Sequence, residues 1–67
     1  MQVQKFESGL GQASLDQMDL DITAWVETER RKRFDLPLKA RKPFVIRGMV
    51  GVSYPTTHQF VMRIYYE

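Results

Sequence analysis

The chain has 67 residues, 43% of them hydrophobic and 27% charged, which is the composition of a folded domain rather than of a disordered segment. It contains no cysteine and one histidine, so disulfides, thiolate zinc sites, cysteine nucleophiles and His-rich metal sites are excluded. The net charge of +2 conceals a separation along the chain, since residues 1–29 carry six acids and one base, whereas residues 30–47 carry eight bases and one acid.

These limits predict one domain spanning residues 1–67. A domain of this size buries only about 60% of its unfolded surface, and without disulfides or metal a partner subunit is the remaining support. We therefore expect a homo-oligomer. No apolar run approaches the roughly 18 residues of a membrane span, and no signal-peptide pattern is present, so we expect a cytoplasmic protein without a membrane partner.

The first half of the chain predicts a strand followed by a helix. Residues 1–7, "MQVQKFE", indicate a strand, and the two glycines of "SGLGQA" indicate a loop. Ser14 and Gln17 have the spacing of a capping box. A helical stripe of apolar residues then predicts a helix over about 15–33, which ends before Pro37.

The second half predicts a β-hairpin. Two runs of alternating apolar residues, "FVIRGMVGVS" and "QFVMRIYY", flank the turn "YPTTH". In the first run the alternation places Phe44, Ile46, Val50 and Val52 on the face toward the helix, and Met49 on the opposite face.

The predicted fold class is α+β, a two-layer β-α-β-β sandwich with one helix on a three-stranded sheet. The last strand has the densest apolar content and the middle strand has two glycines, so the predicted strand order is 1-3-2. The predicted core joins the helix stripe to the inward sheet residues: Leu15, Met18, Ile22, Trp25, Val26, Phe44, Ile46, Phe60, Met62 and Ile64.

The sequence contains no convincing pattern for a catalytic site or a metal site. "SGLGQAS" resembles a phosphate-binding turn only in its glycines, and the aspartates that follow it would repel a phosphate. Asp16 and Asp19 share a helix face, but carboxylates are common near a helix start. His58 has no evident nucleophile or orienting partner. We predict a non-enzymatic protein with no catalytic residue, no metal site and no cofactor.

The basic segment 30–47 divides into two parts. Residues 30–33 have a structural explanation, because cations stabilise a helix C-terminus. In addition, Glu27 stands four residues before Arg31 and Glu29 four before Arg33, a favourable spacing for ion pairs. The loop cations after the helix have no nearby acid, and basic and aromatic side chains on an exposed sheet are able to hold phosphate and stack a base. The predicted ligand-binding residues are therefore Lys39, Arg41, Lys42, Arg47, Arg63 and Tyr65.

The segments "VQKF", "DITAWV" and "FVMRIYYE" resemble a family of short β-α-β-β proteins of Gram-positive bacteria and their phages, which includes a small protein induced during sporulation. The resemblance covers most of the chain and implies the same fold, but no settled biochemical role. The loop "LPLKARKP" departs from the family pattern. In size and character the chain is also similar to small phage proteins that block bacterial defence.

The sequence thus predicts a small binding protein for an anionic ligand, either nucleic acid or a nucleotide that it sequesters. The alternative is a protein-docking module or inhibitor, such as a phage protein that blocks a host effector, which uses an edge strand or the outer sheet face.

Overall fold

Alternating apolar residues and one long helical stripe form three strands and one helix, in a computed structural model that describes residues 1–67. The elements are β1 (Gln2–Gly9), α1 (Gln12–Phe34), β2 (Ile46–Tyr54) and β3 (Gln59–Tyr66). Short 3-10 turns occupy Leu38–Ala40 and Pro55–Thr57. The predicted β-α-β-β order is confirmed.

The helix begins earlier than the capping box predicted. Its N-cap is Gly11, which makes no side-chain cap hydrogen bond, and Leu15 N–H donates to Gly11 O at 3.0 Å. Ser14 therefore lies inside the helix, and Gln17 donates instead to the Asp21 carboxylate at 3.0 Å. The two glycines of "SGLGQA" predicted that the whole segment is a loop. In the structure β1 ends at Gly9 and α1 begins at Gln12, so the loop is shorter than predicted.

The sheet is antiparallel with order β1-β3-β2, as predicted. The last strand is central: β1 pairs with it from Gln2↔Tyr66 to Gly9↔Gln59, and β2 pairs with its other side. Opposite residues in such pairs share a face. The face that carries Phe6 and Ile64 packs against α1, and the other face has no layer over it.

The predicted faces of β2 are wrong beyond its first residue. A register irregularity lies between Ile46 and Gly48, so that the alternation changes phase there. Met49 pairs with Ile64 and lies on the helix side, whereas Val50 pairs with Arg63 and lies on the outer face. Ile46, predicted to be in the core, is 40% exposed because α1 packs over β1 and leaves the β2 edge uncovered. The other nine predicted core residues are buried or half-buried.

Aromatic rings form the centre of the core. Trp25 on α1 contacts the rings of Phe6, Phe44 and Tyr66 with centroid separations of 5.7, 5.5 and 5.0 Å, each edge-to-face. Such contacts add to the free energy gained from burial. Ile64 on the central strand is fully buried. Trp25 thus connects the helix, the loop and the sheet.

The molecule is elongated, with principal extents of 48 × 21 × 11 Å. Because α1 runs along the sheet, the basic segment 30–47 gathers at one end with the first residues of β1, and the acidic first half of α1 lies at the other. The charge separation of the sequence is therefore a separation in space. No helix combines the length and the apolar character that a membrane crossing needs.

Candidate functional site

The loop after α1 folds back over the C-terminal end of the helix. Pro37 stops the helix, and the 3-10 turn that follows it is closed by a hydrogen bond from Ala40 N–H to Pro37 O at 2.8 Å. Arg41 then reaches back, its Nε donating to Leu36 O at 2.8 Å. The chain enters β2 after Phe44, whose ring packs on Trp25. This return brings the loop cations beside the last turn of the helix.

A cleft of about 320 Å³ opens between the helix end and the returning loop. Four of its lining residues are cations and none is an acid; with the others they are Arg30, Arg33, Phe34, Arg41, Lys42, Pro43 and Phe44. Two of the predicted ligand-binding residues, Arg41 and Lys42, are thus brought together, and two helix arginines join them. Cations that line one cleft without an acid repel one another, a cost that a bound anion removes.

Guanidinium groups cover both aromatic rings of the cleft. Arg33 Cζ lies 4.7 Å from the centroid of Phe44, and Arg41 Cζ lies 4.7 Å from the centroid of Phe34. Stacking of this kind holds a guanidinium in place while leaving its N–H groups in the ring plane to donate. Phe34 is 69% exposed, so this stack is at the surface. Arg33 Nη1, in contrast, is buried and has no hydrogen-bond partner.

The predicted ion pairs of the helix end are not formed. Neither Arg31 with Glu27 nor Arg33 with Glu29 comes within 4.0 Å; Glu29 pairs instead with Lys32 at 3.7 Å. Arg33 turns toward Phe44 because the loop places an aromatic ring beside the helix end. Arg30 and Arg33, predicted to have a structural role, therefore line the cleft together with Arg41 and Lys42.

A second cavity of about 450 Å³ adjoins the cleft at the start of β1. Arg33 and Lys42 line both cavities, so the two share a wall. The second cavity also contains Glu67, which accepts a hydrogen bond from Arg47 Nη2 at 2.8 Å. Arg47, predicted as a ligand-binding residue, is thus neutralised by an ion pair.

The remaining predicted residues lie outside the cleft. Lys39 is exposed on the 3-10 turn and lines neither cavity. Arg63 and Tyr65 lie on the outer sheet face, where Arg63 pairs across the strands with Lys5 and Val50. Arg63 makes no ion pair. The predicted residues therefore do not form one site: two line the cleft, Arg63 and Tyr65 lie on the outer face, and Lys39 and Arg47 belong to neither.

The opposite end of the molecule has a cleft of about 350 Å³ between β1 and the start of α1. Glu7 and Asp21 contribute carboxylates to its lining, and no cation does. The glycine turn considered as a phosphate cradle lies here, beside acids that repel an anion. No group of three or more potential metal-ligating side chains occurs in the protein.

Sequence reasoning missed Arg30, Arg33 and the two phenylalanines. One signal in the sequence was available. Arg30 and Arg33 are three residues apart, a spacing that places two side chains on the same face of a helix, and Phe34 follows Arg33 directly. The helix dipole already accounts for these cations, and nothing in the local pattern places them beside the returning loop.

The Arg47–Glu67 pair makes a testable prediction about pH. The hydrogen bond from Arg47, together with its charge, lowers the pKa of the Glu67 carboxyl below its usual 4.5. A lowered pKa in the folded state means that the pair stabilises the fold above pH 4.5 and that this contribution is lost as the pH falls through the folded-state pKa. We expect Arg47→Gln to raise the pKa of Glu67 toward its usual value, as measured by NMR titration of the side-chain carboxyl.

Arg41→Gln is the matched control, because Arg41 does not contribute to the shift. It should leave the Glu67 titration where it is. An unchanged titration in Arg47→Gln would show that the ion pair does not persist in solution.

No family model, no curated protein and no solved structure matches the chain.

Proposed function

We propose that the protein is a non-enzymatic binder of a phosphate-bearing ligand, and that single-stranded nucleic acid is held at the basic cleft. The observation that carries the proposal is the convergence of Arg30, Arg33, Arg41 and Lys42 on one cleft that contains no carboxylate. Phosphate is the common biological anion with enough charge and enough acceptors to satisfy several cations at once.

Two opposing electrostatic effects meet at this site. The C-terminal end of α1 carries the negative end of the helix dipole, which disfavours an anion by about 0.3–1 kcal/mol at an exposed position. Hydrogen bonds to charged groups contribute about 1.5–3 kcal/mol each, so two of the four cations already outweigh the dipole.

The shape of the site favours a chain over a single nucleotide. The cleft and the second cavity share Arg33 and Lys42, so a ligand longer than one nucleotide could contact both cavities past these two cations. The exposed ring of Phe34 and the Arg41 guanidinium on it offer a surface on which a base stacks. A free nucleotide is the alternative phosphate-bearing ligand, and it would occupy only the cleft and not the second cavity.

The test is the salt dependence of binding. Fluorescence anisotropy of a labelled single-stranded oligonucleotide should show that log K falls linearly with log salt concentration. The expected slope is about −3 for four phosphate contacts, at about −0.7 per contact. Binding that is absent at low salt, or that does not change with salt, would exclude the cleft as a nucleic-acid site.

A second candidate is protein docking through the outer sheet face. Val50, Val52 and Tyr65 lie on this face with no layer over them, around the unpaired Arg63. Docking on such an apolar face would change little with salt, which separates it from nucleic-acid binding. The resemblance to small proteins of bacteria and their phages is compatible with either role and stays a prediction.

The protein also self-associates in this proposal. Only four side chains are buried in the monomer, Met18, Val61, Ile64 and Tyr66, which is a small core even for a domain of this length. Apolar residues along β2 remain exposed on both faces of the sheet. A homo-oligomer that covers them would stabilise the fold without a disulfide or a metal.

A further inference from the structure

The strand β2 has an open edge that is unprotected beyond Arg47 and the register irregularity between Ile46 and Gly48. The order β1-β3-β2 leaves one side of its nine residues, Ile46–Tyr54, without a hydrogen-bonding neighbour. From Gly48 to Tyr54 this strand contains no charged residue and no proline. Natural proteins block open edges with charges, prolines or covering segments, and an unprotected edge of this length pairs readily with another strand.

The other edge of the sheet carries charged side chains, and its strand is the one against which α1 packs. On β1, Lys5 and Glu7 form an ion pair at 2.9 Å, and α1 packs over this strand rather than over β2. The contrast between the two edges indicates that β2 is the one available for pairing.

Exposed apolar side chains accompany the open edge on both faces. Met49, on the helix side, is 52% exposed, and Val50, on the outer face, is 48% exposed. A strand added beside β2 would cover both. Main-chain hydrogen bonds and apolar burial would then act together, as they do when strands add to a sheet edge.

We propose that β2 pairs with β2 of a second copy of this chain, antiparallel and about a two-fold axis next to Val50. The result is a dimer with one continuous six-stranded sheet of order 1-3-2-2-3-1. This interface rests on the self-association proposed above and is independent of anion binding.

Charge complementarity identifies the partner and its direction. Each molecule has a basic end, residues 30–47, and an acidic end, formed by the first half of α1 with Glu7. Antiparallel pairing of two β2 strands places the basic end of each copy beside the acidic end of the other. Parallel pairing would place eight cations beside eight cations, and such like-charge arrangements are strongly disfavoured. A second copy in the antiparallel orientation is therefore a partner whose charges match.

Sedimentation equilibrium tests the interface. The native chain at high micromolar concentration is expected at twice its 7.9 kDa mass. Since Val50 faces itself across the axis, Val50→Lys and Val50→Glu should each weaken dimerisation by about tenfold or more through like-charge opposition. Mixing the two variants should restore a dimer. Val3→Lys, at a similarly exposed position on β1, is the matched control and should dimerise normally.

The results test self-association and the β2 interface separately. A native chain that sediments as a monomer overturns self-association altogether. A native dimer that Val50→Lys does not weaken, or that mixing with Val50→Glu does not restore, overturns the β2 interface while leaving self-association in place. Circular dichroism is used to check that the variants are folded. If Val50→Lys is not folded, Met49→Lys takes its place, since it also puts a charge on the open edge.

Discussion

Replacing Trp25 by alanine is expected to lower the free energy of unfolding by about 3–5 kcal/mol. The indole is in edge contact with Phe6, Phe44 and Tyr66, so its removal leaves a cavity where α1, the loop and two strands meet. A domain of this length has a total stability of roughly 3–10 kcal/mol, at 0.05–0.15 kcal/mol per residue. The variant should therefore be largely unfolded or close to it, as urea unfolding followed by circular dichroism would show.

Leu20→Ala is the matched control, an apolar truncation on the same helix at a position that is 64% exposed. It should change stability by less than about 0.5 kcal/mol. Trp25→Phe, which keeps a ring among its three aromatic neighbours, should recover part of the loss. If Trp25→Ala unfolded at the same urea concentration as the native chain, the aromatic cluster would not be the centre of the core.

The second large effect concerns the basic cleft. The double variant Arg33→Gln, Lys42→Gln removes the two cations that line both cavities. If each binds a phosphate, oligonucleotide affinity should fall about a hundredfold or more, since hydrogen bonds to charged groups are worth about 1.5–3 kcal/mol each and 1.4 kcal/mol is tenfold. The salt slope should become shallower by about 0.7 for each phosphate that the variant no longer neutralises. Anisotropy titrations at several salt concentrations measure both.

Arg31→Gln, Lys39→Gln is the control for this experiment. It removes the same charge from the same helix end and loop, but neither residue lines a cavity. Its affinity should fall less than about fivefold, because only the long-range field changes. Equal losses in the two double variants would mean that the basic end attracts anions by its overall charge and that the cleft is not a site.

The fold followed from the sequence where local pattern and hydrophobic burial agree. The density of apolar residues in "QFVMRIYY" predicted the bounds of β3 and its central place, because a strand paired on both sides is buried most. The faces of β2 were not predictable in the same way. Alternation assumes an unbroken register, and the irregularity between Ile46 and Gly48 depends on how β2 meets β3, which no local pattern contains.

The candidate site was predicted only in part, for a similar reason. The absence of nearby acids in the sequence identified Arg41 and Lys42, which do line the cleft. Spacing along one helix is readable from sequence, and it predicted an ion pair for Arg33 on its own helix. The actual neighbour of Arg33 is Phe44, which lies beyond the end of the helix and arrives there through the returning loop.

The position of β3 at the centre of the sheet has a consequence for the order of folding. During synthesis β1 emerges first, yet its only strand neighbour is β3, which emerges after every other element. The pairing of Gln2 with Tyr66 joins residues almost a full chain apart, and contacts of that separation form slowly. The β2–β3 hairpin closes locally, so it is able to form before β1 docks. Until then β1 and the apolar stripe of α1 lack their partners, and a chain interrupted before β3 has no sheet at all.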